Sequence, residues 1–378
     1  MMNRATKWMT GAAALALVVS VAGCGAANNT NNTTAGAGNG TGNTTGSSSQ
    51  SVTINETGSS LLYPLFNGQW ISAYKTVDPN VNITAASTGS GTGISQAIAG
   101  TVQIGASDAY MSDAQMQANP SIVNIPLAIS AQQIMYNLPG MSTSSHLKLT
   151  GNVLGQIYLG KIKYWDDPAI TKLNPGVNLP HHLIIPVHRS DGSGDTFLFT
   201  QFLTDTNSTW KSQVQYGTSV SWPSVSGGIG AKGNDGVVAA MHSNPYSIGY
   251  VGISWLTNAV KEGIGYAQLQ NKAGNFVLPT QANITAAASG MMDKVPADER
   301  ISLIYSPGAN SYPIINFEYA IINTKQSANM ASALKKFLDW AISPQGGNSN
   351  QYMQPVHFLA LPASVVPKSQ AQINKIGG

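Results

Sequence analysis

A chain of 378 residues with 9% charged side chains and a formal net charge of +3 carries no basic field of the kind that attracts nucleic acid. Its length suffices for one large core or two moderate ones. The single cysteine, Cys24, excludes an intrachain disulfide, and the six histidines fall in no metal-ligand spacing.

Arg4 and Lys7 precede an apolar stretch, residues 9–21, that is too short for a comfortable membrane span. Residues 1–23 therefore read as an export signal. It ends at Val21-Ala22-Gly23-Cys24, which resembles the bacterial lipobox, where cleavage precedes a cysteine whose thiol then carries a lipid. Residues 24–50 follow that cysteine with little besides Ala, Asn, Thr, Gly and Ser. Such a segment buries too little apolar surface to offset ordering entropy, so it reads as a flexible tether with a reach of roughly 25–30 Å. These features predict an extracytoplasmic protein, lipid-anchored to the cell membrane through Cys24. Removing the signal takes away two basic residues and leaves the two signs almost balanced. The polar surface is rich in Asn, Gln, Ser and Thr, which suits an acidic exterior where carboxylates would lose their charge anyway.

In the body of the chain, residues 51–56 alternate as a strand and run into Gly58-Ser59-Ser60-Leu61-Leu62-Tyr63-Pro64. A helix over 63–74, a strand over 81–84 and a second turn, Thr88-Gly89-Ser90-Gly91-Thr92-Gly93, come next. Residues 93–99 read as a helix and 103–106 as a short strand leading to Ser107-Asp108. This βαβα order predicts a mostly parallel sheet with helices on both faces, and ligands at the carboxyl ends of its strands. From about Asn137 the pattern starts afresh, with helices over 153–159 and 168–173 and a strand over 183–187. A strand over 247–251, an apolar run over 313–322 and a helix over 331–342 complete the chain. The predicted arrangement is two α/β lobes with a ligand cleft between them.

The strand over 183–187 feeds Arg189-Ser190-Asp191-Gly192-Ser193-Gly194-Asp195-Thr196, ahead of a helix over 197–203. Glycine-rich turns that open helices aim backbone N–H groups at the positive end of the helix dipole, which suits an oxyanion. Arg189 adds a planar fork able to grip two oxygens at once. With the two earlier turns, this makes three polar turns opening three helices, enough to replace the water stripped from an anion.

Other motifs fail on context. Gly228 to Gly233 matches GxGxxG but lacks the leading strand and acidic ribose partner of a dinucleotide site. Gly155 to Lys161 has a Walker A outline, but Ile162 stands where Ser or Thr should hold Mg²⁺. There is no GxSxG elbow, and no convincing nucleophile–base pair or metal set. Binding without catalysis, metal or cofactor fits better.

Several segments in order resemble one family. They are 58–64, Gly89-Ser90-Gly91 with Gly105-Ala106-Ser107-Asp108, 158–165, 173–176, 189–199, 230–236 and Phe337-Leu338-Asp339-Trp340. Across 52–365 the chain resembles the phosphate-binding proteins of bacterial ABC phosphate importers (PstS-type). The resemblance implies a type II periplasmic-binding-protein fold, with 52–130 plus 315–378 as one lobe and 131–314 as the other. It also implies delivery of inorganic phosphate to permease subunits driven by a cytoplasmic ATPase.

Carried over by position, Ser90 would donate its hydroxyl and Asp108 would accept from a protonated phosphate oxygen. Arg189 would supply the cation, oriented by Asp191 behind it, while Ser193 and Gly194 would donate at the helix start. Leu62 and Tyr63 stand where the family presents backbone N–H groups. Leu62 replaces a usual threonine, whose hydroxyl Ser60 could supply. Asp195 also replaces a threonine: its N–H can still donate, but its carboxylate must point away or be protonated, with Thr196 beside it as compensation.

Asp108 otherwise reads as a helix cap. As a ligand it repels any anion lacking a proton, which would admit phosphate or arsenate and reject sulfate. The alternatives are a binding protein for another oxyanion, a lipid-anchored phosphohydrolase, and a sensor or adhesin that no longer transports.

Overall fold

The computed structural model describes residues 51–378, so the export signal, Cys24 and the tether lie outside the described residues. Eight strands carry the main sheet: β1 (Val52–Gly58), β2 (Val81–Thr84), β3 (Ile104–Ser107), β4 (Ile122–Tyr136), β5 (Ile185–Arg189), β6 (Ile229–Ala231), β7 (Ser247–Gly252) and β8 (Ile315–Asn323). Their spatial order is β2-β1-β3-β8-β4-β7-β5-β6, with the short strand Gly265–Tyr266 also paired to β4.

The expectation of a mostly parallel sheet needs correcting. Pairs at the two ends, β1 with β2 and β3, and β5 with β6 and β7, are parallel as the βαβα order requires. The centre is antiparallel, because β8 runs against β3 and β4, and β4 runs against β7. The cause is β4, which the sequence reading passed over between Asp108 and Asn137. All 15 of its residues are buried, so it shows none of the in–out alternation that marks a half-exposed strand. Residues 122–131 of β4 pair with β8, and 132–136 pair with β7. One strand thereby joins the two α/β halves of the sheet.

Helices cover the sheet: α1 over 63–77, α2 (Ser90–Ala99), α3 (Gly194–Thr206), α4 (Gly233–Ser243) and α5 (Ala328–Ile342). Helix α1 passes through one π turn, Phe66–Trp70. Three of these helices start earlier than expected, each for a local reason. Gly89, at φ +94°, turns the chain so that Ser90 is already helical. The Ser193 and Ser327 hydroxyls cap α3 and α5 by accepting from Thr196 N–H and Met330 N–H.

Most of the aromatic residues serve packing. Phe66, Trp70 and Tyr74 of α1 pack edge-on and tilted against Phe337 and Trp340 of α5, at ring separations of 5.0–6.1 Å. The Trp70 indole donates to Gly347 O at 2.9 Å. These contacts tie α5 and the turn after it to α1. In the other half Trp165 is fully buried, with its indole on Tyr246 O, and Trp222 stacks on His188.

Several carboxyl groups lie in this interior. Glu56 of β1 has neither carboxylate oxygen hydrogen-bonded among the described residues, and burial pushes its carboxyl well above the ordinary value. Glu299 accepts from the Ser369 hydroxyl at 2.7 Å, and burial pushes it from 4.5 up to about 8. An acid held protonated in the fold stabilises it fully below the unfolded value. That stability is lost as pH rises through the window from about 4.5 to about 8. Glu299→Gln keeps an acceptor for Ser369 and removes the charge. It should match the wild type near pH 4.5 and unfold at least roughly 2 °C higher near pH 8. Thermal melts that stay superimposed at both pH values would refute the assignment.

Candidate anion-binding site

The three turns meet at the carboxyl ends of β1, β3 and β5. Gly58 ends β1 at φ +143° with Ala106 O packed where a side chain would stand. Its carbonyl accepts from Thr88 N–H and Gly89 N–H, which fixes the second turn beside the first. Gly91 N–H then donates to Gly192 O at 2.9 Å, linking the second turn to the third. A Cβ on Gly194 would lie 2.6 Å from Asp108 Cβ, so only glycine lets the start of α3 approach β3 this closely.

Arg189 closes β5 and is 3% exposed. Its Nε donates to Asp191 Oδ1 at 2.7 Å and Nη2 to Asp191 Oδ2 at 2.5 Å, the orienting pair expected from sequence. Nη1 donates to Asp195 Oδ2 at 2.7 Å. Three of the five guanidinium protons are thus used, and each Nη retains one N–H. Burial alone would raise the Asp191 carboxyl, but Arg189 holds it below the ordinary carboxylate value, helped by Gly233 N–H at 3.2 Å.

Asp195 points inward, neither away nor at solvent. Besides Arg189 it accepts from Asn234 Nδ2 at 2.7 Å and Gln132 Nε2 at 3.1 Å. Burial raises its carboxyl above the ordinary value even against those three partners. Thr196 turns instead to the Tyr250 hydroxyl at 2.7 Å, so its hydroxyl is aimed at β7.

Asp108 follows β3 directly and caps no helix; the next one begins at Asp113, capped by Ser112. Asp108 accepts from the Ser59 hydroxyl and, at 3.4 Å, from the Ser90 hydroxyl, while its own N–H donates to Ser90 Oγ at 3.2 Å. Glu318 lies near enough to raise the Asp108 carboxyl beyond what burial does, and Glu318 Oε2 has no hydrogen-bond partner among the described residues. Burial raises both groups, and Asp195 adds to the rise of each. Ser130 and Asn316 donate to Glu318 Oε1 at 2.5 and 3.0 Å and fix its orientation.

Leu62 and Tyr63 sit otherwise than the resemblance implies. Leu62 N–H donates to Ser59 Oγ at 2.9 Å and Tyr63 N–H to Ser59 O at 3.0 Å, so the turn consumes both. The Leu62 side chain lies in the core. Ser60 is better placed: its hydroxyl accepts from Asn234 N–H and Nδ2 at 3.0 and 2.9 Å and keeps its own proton. Ser193 N–H goes to Thr218 O and its hydroxyl caps α3. The N–H groups of Ser90, Gly194 and Asp195, in the first turns of α2 and α3, have no acceptor among the described residues.

Sequence reasoning missed Ser59, Gln132, Asn234 and Glu318. Gln132 and Glu318 carried a usable signal, since a polar side chain inside an unbroken apolar strand needs a buried partner. Asn234 lay within the discounted GxGxxG neighbourhood, whose Gly233 and Asn234 in fact brace Asp191, Asp195 and Ser60.

The chain is similar over most of its length to known proteins. A profile of the PBP superfamily domain matches residues 39–345. The chain is 39% identical over 324 residues to the phosphate-binding protein PstS of Pasteurella multocida, covering 85% of this chain and 90% of that protein. It is 33% identical over 379 residues to the PstS of Methanocaldococcus jannaschii, covering 95% and 92%. Its fold is similar to that of a high-affinity periplasmic phosphate-binding protein (PfluDING) solved with phosphate, at a TM-score of 0.65, 20% identity, and coverage of 86% and 99%. The phosphate-binding protein of Stenotrophomonas maltophilia gives a TM-score of 0.63 at 20% identity, with coverage of 85% and 94%. These structures share the type II periplasmic-binding fold expected from the sequence.

Ser59 offers a direct test of the first turn. Ser59→Ala strands the N–H groups of Leu61 and Leu62 and one Asp108 oxygen in the interior. It should lower unfolding stability by about 1–3 kcal/mol. An unchanged denaturant midpoint would show that the turn does not depend on this hydroxyl.

Proposed function

The chain belongs to the PstS family of phosphate-binding proteins, and we propose that the site described above is where it captures inorganic phosphate for an ABC importer. The observation that carries this placement is the buried Arg189 guanidinium, with one free N–H on each Nη, facing the unpaired N–H groups at the starts of α2 and α3. That arrangement matches a tetrahedral oxyanion: a planar fork for two oxygens and helix starts for the others. Ser60 adds a free hydroxyl from the first turn, and Ser90 of the second turn orients Asp108.

Asp108 provides the selection. A phosphate oxygen that keeps its proton donates to this carboxyl, whereas sulfate brings only acceptors. Ser59 and Ser90 orient this carboxyl, and Glu318 beside it raises its proton affinity. Leu62 and Tyr63 take no part through their N–H groups, and Ser193 contributes by capping α3.

The lobes would be 52–130 with 315–378, and 131–314, closing over the anion about β4 and β8. Ser60 to Asn234 and Gly91 to Gly192 are the contacts that such closure forms. In this reading the protein is exported, anchored by a lipid on Cys24, and passes phosphate to permease subunits coupled to a cytoplasmic ATPase. It catalyses no reaction; turnover of a chromogenic phosphate ester would instead mark the hydrolase alternative.

Two variants test the site by calorimetric titration after bound ligand has been removed by unfolding and refolding. Arg189→Lys keeps the charge but loses the fork, and should weaken phosphate binding by roughly tenfold to a thousandfold. Asp108→Asn removes the repulsion worth about 2–5 kcal/mol, so excess sulfate should now displace phosphate. Native affinity in the first variant, or continued indifference to sulfate in the second, would remove that residue from the site.

A further inference from the structure

The pocket is unusual in its charge balance. One guanidinium, Arg189, pairs with Asp191 and Asp195, and Asp195 lies in turn beside two more buried carboxyls, Asp108 and Glu318. Asp191 orients the arginine, and Asp108 reads the ligand's proton. Asp195 and Glu318 are acidic beyond either need, and both are fully buried.

We propose that Asp195 and Glu318 make this pocket specific for phosphate in its singly charged, dihydrogen form. This inference rests on the phosphate reading of the site and names the ionic species that the site takes. Three observations support it. First, Arg189 is already neutralised by contacts of 2.5–2.7 Å to two carboxylates, so little positive charge remains for a dianion. Second, dihydrogen phosphate presents two O–H donors. Besides Asp108, the pocket holds Asp195 as a second buried carboxyl, on the residue next to Gly194, whose backbone abuts Asp108. Third, Glu318 has one buried oxygen with no hydrogen-bond partner among the described residues, and it raises the Asp108 carboxyl beyond what burial does.

The titratable groups around the two acids come from every element packed on them. They are Asp108 beyond β3, Arg189 and Asp191 at the end of β5, Tyr250 of β7, and the two acids themselves on α3 and β8. Arg189 is the cation among them. Burial raises Asp195, Asp108 and Glu318 together. The cluster therefore gains protons as pH falls, the direction in which the ligand becomes singly charged.

The test is titration of inorganic phosphate into ligand-stripped protein between about pH 5 and about pH 8, in two buffers of different ionisation enthalpy. We expect affinity to fall by roughly tenfold per pH unit above the pH where the ligand loses its second proton, with about one proton taken up per phosphate bound near pH 8. Asp195→Asn, and independently Glu318→Gln, should flatten that slope and reduce the proton uptake. The wild-type result stands even if a variant fails to fold. Equal or tighter binding near pH 8 with no proton uptake would overturn the inference and leave the phosphate reading intact. No phosphate binding at any pH would sink that reading, and this inference with it.

Discussion

A guanidinium cannot sit in a protein interior without partners for its charge and its protons, and the architecture around Arg189 follows from meeting that demand. An isolated buried cation costs many kcal/mol, and losing one partner of such a pair typically costs 3–5 kcal/mol. Asp191 meets the demand on two nitrogens because the turn after β5 brings the chain back within two residues. Gly233 N–H, at the start of α4, holds Asp191 in turn. Asp195 meets the third nitrogen because the Ser193 cap starts α3 at the next residue and places its first turn against β4. The same geometry leaves the Gly194 and Asp195 N–H groups free at the helix start. Stabilising the arginine and exposing anion donors are consequences of a single turn.

Polar residues within the central strands extend this frame. Gln132 of β4 reaches Asp195, while Ser130 of β4 and Asn316 of β8 hold Glu318 against Asp108. Buried polar side chains are tolerated in strands of this kind only when each finds a partner, and these find theirs in the site. Strands β4 and β8 therefore have two tasks. They carry the chain between the halves of the sheet, and they present the groups that set the protonation of the pocket.

Much of this was legible in the sequence, because glycine and serine turns mark both helix starts and anion donors. The three turns, their order and the Arg189–Asp191 pair follow from local chemistry that spans at most eight residues. What escaped is non-local. Strand β4 is buried on both faces along its whole length, so periodicity could not separate it from a helix or a linker. Its antiparallel place between β7 and β8 depends on residues over a hundred positions away. The pairing of Asp108 with Glu318, and of Asp195 with Asn234 and Gln132, likewise joins segments that only the closed sheet brings together. At Leu62 and Tyr63, similarity in sequence suggested donors that the Ser59 hydroxyl and carbonyl had already claimed.

The buried acids shift in a common direction: Asp195, Glu56 and Glu299 place carboxyls in the interior, each of them raised by burial. At an effective dielectric near 20, two like charges about 5 Å apart repel by about 3 kcal/mol. A cluster such as Asp108, Asp195 and Glu318 is therefore tolerable mainly when some members are protonated. An interior of this kind costs little where protons are abundant and becomes costly as they are withdrawn. A surface sparing in charge, with 9% charged residues in the chain, loses little when its carboxylates are neutralised. The proposed phosphate site would share this dependence, since phosphate carries its extra proton under the conditions in which these buried acids carry theirs.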